Sequence, residues 1–362
     1  MKKRAVLTHA ILALGGLTLA YLVWTEEAVE VSPDEVTLLD CDVDTLTGVT
    51  LELSGQTTRL VVEREGDTTS TLFTVTRDSD EDGAPPARFV GNPGALTFLE
   101  QIAPLRARRS LGALTDAQRA ELGLDTPEGT LTLVCGDREA AFSLGEGPFG
   151  EGDRYAESTE GGDVVLLSSA NLLPLQSASA QLMQRALHTF DWSEVEEMTL
   201  RGFGVDKRLR QRNRREAARA EWVDAADPDR RNELYGNWFA GYARMRLQAY
   251  LSGGTEPGAD LDGTSAEREP ILRAEMFDEE GARIGQLELV RIAAPTPAYY
   301  ARTETTRGWV RLPTSGAETF TENLRPVLGL EPEVRDVPEP AIEVAPSDGP
   351  DAATASPDAG PE

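Results

Sequence analysis

Lysine, histidine, cysteine and aromatic residues are all scarce in this chain of 362 residues, and each shortage narrows what it can do. Lysine occurs only as Lys2, Lys3 and Lys207, so arginine supplies nearly all the positive charge. Against 35 bases stand 62 acids, a formal net charge of -27 that repels phosphate and excludes a nucleic-acid binder. Of the two histidines, His9 lies in an apolar run, which leaves His188 as the one candidate for a Ser-His-Asp or Cys-His system. His188 sits near an expected helix end, where a solvated histidine is the ordinary outcome. The G-x-S-x-G, H-E-x-x-H, P-loop and C-x-x-C patterns are missing too. The expectation is a protein that is not an enzyme and carries no catalytic residue or organic cofactor.

What is present begins with an address. Met1-Lys2-Lys3-Arg4 is a basic cluster (residues 1–4), followed by an uncharged run from Ala5 to Trp24 (residues 5–24). A helix of that length spans about 30 Å, the thickness of a bilayer's hydrocarbon core. Glu26, Glu27 and Glu30 follow it, so the positive-inside rule puts the N-terminus in the cytoplasm and the body outside. Thr18-Leu19-Ala20 is a poor cleavage site, which favours an uncleaved anchor over a signal peptide. The expected location is the inner membrane of a bacterium, single-pass, with the body in the periplasm. A disulfide is permissible there. Cys41 and Cys135 could form one, although two unpaired thiols are the plainer account.

The body reads as α+β: two related halves of antiparallel strands with packed helices (residues 36–190 and 191–330), preceded by the transmembrane helix. Alternation marks strands over Val49–Leu53 and Thr58–Glu63, and β-formers mark Leu72–Val75, Thr130–Val134, Ala141–Leu144, Arg154–Glu157 and Val164–Leu167. Helices are expected over 93–105, 115–122, 178–187 and 231–251. The last carries a stripe of Leu234, Trp238, Tyr242, Met245 and Ala249 and is expected to stop at Gly253-Gly254. Three echoes mark the second half as a repeat. Glu197–Gly202 echoes Val49–Gly55 with Thr199-Leu200 matching Thr50-Leu51, Tyr300-Ala301 echoes Tyr155-Ala156, and Asn323-Leu324-Arg325-Pro326 echoes Asn171-Leu172-Leu173-Pro174, at offsets of 149, 145 and 152 residues. Residues 331–362 hold 7 of the 22 prolines and 9 acids against one arginine, the composition of a disordered tail.

Two charge anomalies are candidate sites. Asp78-Ser79-Asp80-Glu81-Asp82-Gly83 matches the opening of a calcium loop, with Asp78, Asp80 and Asp82 as ligands. The twelfth position, however, is Phe89 rather than Glu, so an acidic turn is the simpler reading and Ca²⁺ the weak alternative. Residues 207–219 carry a local charge of +6. Read as a helix, they align Arg208, Arg212, Arg215 and Arg219 on one face. That face is either solvated and paired with the protein's own acids, or a docking surface for anionic headgroups or an acidic partner.

Leu122-Gly123-Leu124-Asp125-Thr126-Pro127, then the strand Thr130–Leu133, Gly145, Arg154-Tyr155-Ala156 and Val164–Leu167, form an order that resembles the bacterial family called domain of unknown function 4340 (DUF4340). The resemblance covers 36–190 well and the second half loosely. It implies a membrane-anchored envelope protein partnering ABC transport systems of the type linked to gliding motility, and it transfers no catalytic residue. The combined expectation is an extracytoplasmic accessory or scaffold protein whose partner is another envelope protein, such as an ABC transporter subunit. A carboxylate-based glycan hydrolase and a ligand- or Ca²⁺-binding module are the alternatives.

Overall fold

The computed structural model describes residues 35–331, apart from 67, 79–85, 149–151, 217–218, 252–255, 259–266 and 294–295. The calcium candidates Asp80 and Asp82, the anchor at 5–24 and the tail from 332 lie outside the described residues. Among the described residues, no helix is long and apolar enough to cross a membrane.

Alternation sets the first half. In β2 (Leu46–Leu53) Val49, Leu51 and Leu53 are buried, while Thr50 and Glu52 face outward. β3 (Gln56–Glu65) and β4 (Thr68–Arg77) follow as hairpins, then β5 (Ala87–Val90). Asn92 caps α1 (Pro93–Ile102) by accepting from Ala95 N, and Pro93 enters at the first position, where its missing N–H costs nothing. Ala95, Phe98, Leu99 and Ile102 recur at helical spacing and are buried, the three larger side chains stabilising the fold by about 2 kcal/mol each. β1 (Val36–Leu39) pairs with β6 (Leu105–Ala107) in a separate two-stranded ribbon. After β7 (Arg109–Gly112), Thr115 opens α2 (Asp116–Glu121) with a capping box to Gln118. β8 (Gly129–Cys135), β9 (Arg138–Leu144), β10 (Arg154–Ser158) and β11 (Val164–Leu167) complete the sheet, and the single-turn helices α3 (Leu173–Gln176) and α4 (Ala178–Gln181) follow.

The second half repeats this plan. Its elements are β12 (Glu197–Gly202), β13 (Val205–Arg212), β14 (Glu221–Asp224), β15 (Asp227–Arg231), α5 (Glu233–Arg244), β16 (Ala249–Tyr250), β17 (Arg268–Phe277), β18 (Arg283–Ile292), β19 (Ala298–Thr303), β20 (Val310–Leu312) and α6 (Thr314–Val327). The first sheet runs β5-β4-β3-β2-β8-β9-β10-β11-β7 and the second β15-β14-β13-β12-β17-β18-β19-β20-β16, the same nine-strand order throughout. Every pairing is antiparallel, and registers match to the residue: Ala156 faces Leu144 and Val165, and Ala301 faces Leu289 and Val310. Both first hairpins turn through two residues at positive φ, Ser54-Gly55 (52° and 70°) and Phe203-Gly204 (50° and 76°), the geometry that follows strand twist. Asn92 and Asn232 cap the equivalent helices α1 and α5.

Strands outweigh helices, so the molecule is more strongly β than an α+β reading implies. Three expectations about helices are corrected. The helix expected over 178–187 is only the single turn α4, because the chain leaves it after Leu182 and hydrogen-bonds to both halves. The helix expected over 231–251 ends at Arg244, where Met245 turns extended (φ -62°, ψ 136°) and Arg246 bridges to Ala186. Residues 207–212 are strand, not helix. α6 was not anticipated.

A candidate functional site in the cleft between the halves

Residues 182–188 form a strap between the two halves. Asn92 N donates to Leu182 O and Gln184 N to Val90 O, both at 2.8 Å, on the first-half side. On the second-half side Leu247 N donates to Arg185 O (2.9 Å), Tyr250 Oη to Gln184 O (3.1 Å) and Thr303 Oγ1 to Leu187 O (2.8 Å). The edge strand β5 of one half thereby meets the edge strand β16 of the other, with Phe89 and Tyr250 ring centroids 6.5 Å apart. Across the gap Arg307, held at φ 53°, pairs with Glu63 and donates to Ser70 Oγ at 3.1 Å. A cleft of about 710 Å³ lies beside the strap, walled by Glu63–Glu65 and Thr69–Thr71 on one side and by Thr189, Glu304, Thr305 and Arg307 on the other.

Behind Glu304 the strap carries a buried relay. His188 Nδ1 lies 2.8 Å from Glu304 Oε1, and His188 Nε2 lies 2.6 Å from Tyr242 Oη. The second oxygen of Glu304 accepts from Gln286 N at 2.9 Å. Phe190 and Trp192 pack on the His188 ring at 5.0 and 5.4 Å. Burial, and secondarily the charge of Glu304, push the Tyr242 phenol well above its ordinary value. The phenol therefore stays protonated and donates to Nε2, while a carboxylate, which only accepts, draws the Nδ1 proton. Tyr242 is enclosed by aromatic rings and its side chain is fully buried, so the relay ends inside the second half rather than in the cleft. A solvated His188 is thus corrected to a buried one. The signal was present in the sequence as alternation: His188, Phe190 and Trp192 step by two, the period of an extended, one-sided segment.

The buried tyrosines give an alkaline signature. Burial raises the Tyr250 phenol to about 12, against 10.0 in an unfolded chain. A raised pKa on a group that ionises to an anion means that the folded state holds its proton longer. Its stabilising effect is complete below about pH 10 and is lost as pH climbs from there toward about 12. The urea midpoint is expected to fall across that window, and less steeply in Tyr250→Phe.

The other candidates are dispersed. Asp78 extends the β3–β4 ladder at its open end, its N–H donating to Gly55 O at 2.8 Å, and among the described residues no cluster could hold a metal. Arg208 and Arg212 share the outer face of β13, whereas Arg215 and Arg219 lie beyond its end, so no helical face aligns the four. The physical reason is strand alternation: Leu209 and Gln211 are buried, which turns Arg208, Arg210 and Arg212 outward. Each of the four pairs with the chain's own acids, Arg208 with Glu197 (3.5 Å), Arg212 with Glu221 (3.9 Å), Arg215 with Glu279 (3.0 Å) and Arg219 with Glu216 (3.1 Å). The island of +6 in the sequence is therefore largely offset in space. Cys41 and Cys135 form a disulfide that closes a separation of 94 residues, and both are buried.

The fold and cleft define a two-half antiparallel β protein with a strapped junction and a groove lined by both charged and apolar side chains. Residues 91–252 match the family model described as Domain of unknown function (DUF4340). The resemblance seen in Leu122–Pro127 falls within this stretch, which runs from the entrance of α1 across the strap and past β16 rather than over 36–190. No curated protein and no solved structure matches the chain.

Proposed function

We propose that the chain is an extracytoplasmic accessory or scaffold subunit, tethered by residues 5–24 to the inner membrane, that meets an envelope partner at the cleft between its halves. The cleft carries this reading. Both halves build it, and two of its carboxylates already hold partners, Glu63 with Arg307 and Glu304 with His188 and Gln286. A glycosidase instead needs two carboxyl groups free to face a substrate. The disulfide supports an oxidising compartment. An ABC-type transport subunit is the partner that the family resemblance implies.

The test uses two surface positions. Leu96 at the cleft and Leu173 on α3 are exposed, large and apolar, at 36% and 46%. A photo-reactive benzophenone side chain at each position, irradiated in intact cells, is expected to give a discrete adduct with one envelope protein from position 96 and none from 173. Equal adducts from both positions, or none from 96, would sink the reading.

A further inference from the structure

We infer that the cleft binds an extended peptide segment of its partner as an added strand on β4, a proposal that rests on the scaffold reading and deepens it. The first observation is an incomplete ladder. β5 pairs with β4 only over Leu72–Val75, and Gly91 N then donates to Thr71 O at 2.8 Å before the chain turns into α1. β4 continues past that point, with Ser70 and Thr69 paired to Glu63 and Arg64 of β3 on one side only. In an antiparallel ladder a residue sends its N–H and C=O to the same neighbour, and the direction alternates along the strand. Thr71 sends its carbonyl toward β5, so Thr69 turns its N–H and C=O to the same side, where the cleft lies. A peptide strand entering there would continue the line of β5.

The second observation is independent. Thr71 lines the cleft with its side chain buried, at 2% exposure, and its Oγ1 has no hydrogen-bond partner. A buried hydroxyl left unpaired costs about 1–3 kcal/mol; this one packs against Gly91 and is closed to solvent, so a ligand carbonyl or amide reaches it only where the Gly91 turn gives way. Chemistry then selects the peptide. Pro93 and Leu96 give an apolar shelf for one side chain. Glu63, Glu65 and Glu304 outnumber Arg64 and Arg307 in the walls, and Arg64 is turned away to donate to Leu46 O at 2.9 Å. A strand alternating apolar and basic side chains fits this surface. The chain's own segment with Glu26, Glu27 and Glu30 has the wrong charge.

The probes are three fluorescein-labelled nonapeptides offered to the full chain in detergent: alternating Leu and Lys, alternating Leu and Glu, and the Leu/Lys peptide N-methylated at alternate amides. The Leu/Lys peptide is expected to bind saturably by anisotropy, and the other two about tenfold more weakly. Thr71→Val keeps the shape and removes the hydroxyl, so it is expected to weaken binding about fivefold without lowering the urea midpoint. Leu96→Asp is expected to weaken it as well. Equal binding of the N-methylated peptide, or binding unchanged in both variants, overturns strand addition. A dimer of the chain that Leu96→Asp dissociates also overturns it, in favour of a second copy as occupant. An adduct at position 96 in cells without peptide binding retains the scaffold reading and rejects this one. Peptide binding without an adduct does the reverse.

Discussion

Replacing Cys41 and Cys135 together by alanine is expected to lower the unfolding free energy by about 4 kcal/mol, because the unfolded chain regains the freedom of a long loop. The bond closes 94 residues, a loop containing β2 through β7 and β8 to its last residue. It also locates the loss. Cys135 pairs with Leu46 at the end of the central β2–β8 ladder, and Cys41 follows β1, so the bond pins the β1–β6 ribbon to the middle of the first sheet. The described tryptophans, Trp192, Trp222, Trp238 and Trp309, all lie beyond the strap, in or against the second half. Urea melts of the double variant are therefore expected to show far-ultraviolet dichroism falling before tryptophan fluorescence, while the two probes coincide in the parent. A midpoint shift worth less than about 1 kcal/mol would reject the loop-entropy account. Coincident transitions in the variant would show that the strap makes both halves unfold as one.

The strap also explains which strand edges are protected. β5 and β15 occupy equivalent ends of the two sheets, yet their chemistry differs. β5 carries Phe89 and Val90 and lies against the strap and Tyr250. β15 is Asp227-Pro228-Asp229-Arg230-Arg231, exposed throughout. A proline and charged side chains of both signs on a free edge oppose pairing with another chain. The second half is thus finished as an end, whereas the first is built to receive a neighbour. This asymmetry concentrates the incomplete ladder of β4 at the junction.

Period decided what could be read in advance. Val49, Leu51 and Leu53 alternate within a single strand, so β2 and its neighbours were legible, and Tyr155 and Tyr300 betrayed the repeat because they occupy the same register. The arginines misled because Arg208, Arg212, Arg215 and Arg219 step by 4, 3 and 4, while the weaker alternation of Leu209 and Gln211 was the signal that governs. α6 escaped because its buried face of Ala317, Phe320, Thr321, Leu324 and Val327 includes a threonine and an alanine among polar neighbours. The end of α5 and the whole cleft depend on pairings such as Arg246 with Ala186 and Arg307 with Glu63. Those join residues far apart in the chain, and no local pattern encodes them. The disulfide is of the same kind, since composition permits it and only the fold brings the thiols together.

His188→Ala is expected to destabilise the protein by about 4 kcal/mol, because it removes two hydrogen bonds and a packed ring at once. The side chain of His188 is 2% exposed, and its loss leaves the Tyr242 hydroxyl unpartnered among Trp192, Trp238 and Phe320. Tyr242→Phe should cost only about 1 kcal/mol, since it deletes one partner and keeps the ring. His188→Phe combined with Tyr242→Phe should recover most of the loss. The two groups are then replaced by apolar rings, and Glu304, with a side chain 26% exposed, can take water in place of Nδ1. That pattern separates a tie from a reactive centre. A tie tolerates the apolar pair, so partner adducts at Leu96 should survive in the double variant. A proton relay serving chemistry would lose its function in the double variant even where stability returns. If His188→Ala melts within about 0.5 kcal/mol of the parent, the relay does not hold the strap to the second half, and its conspicuous burial must serve something other than stability.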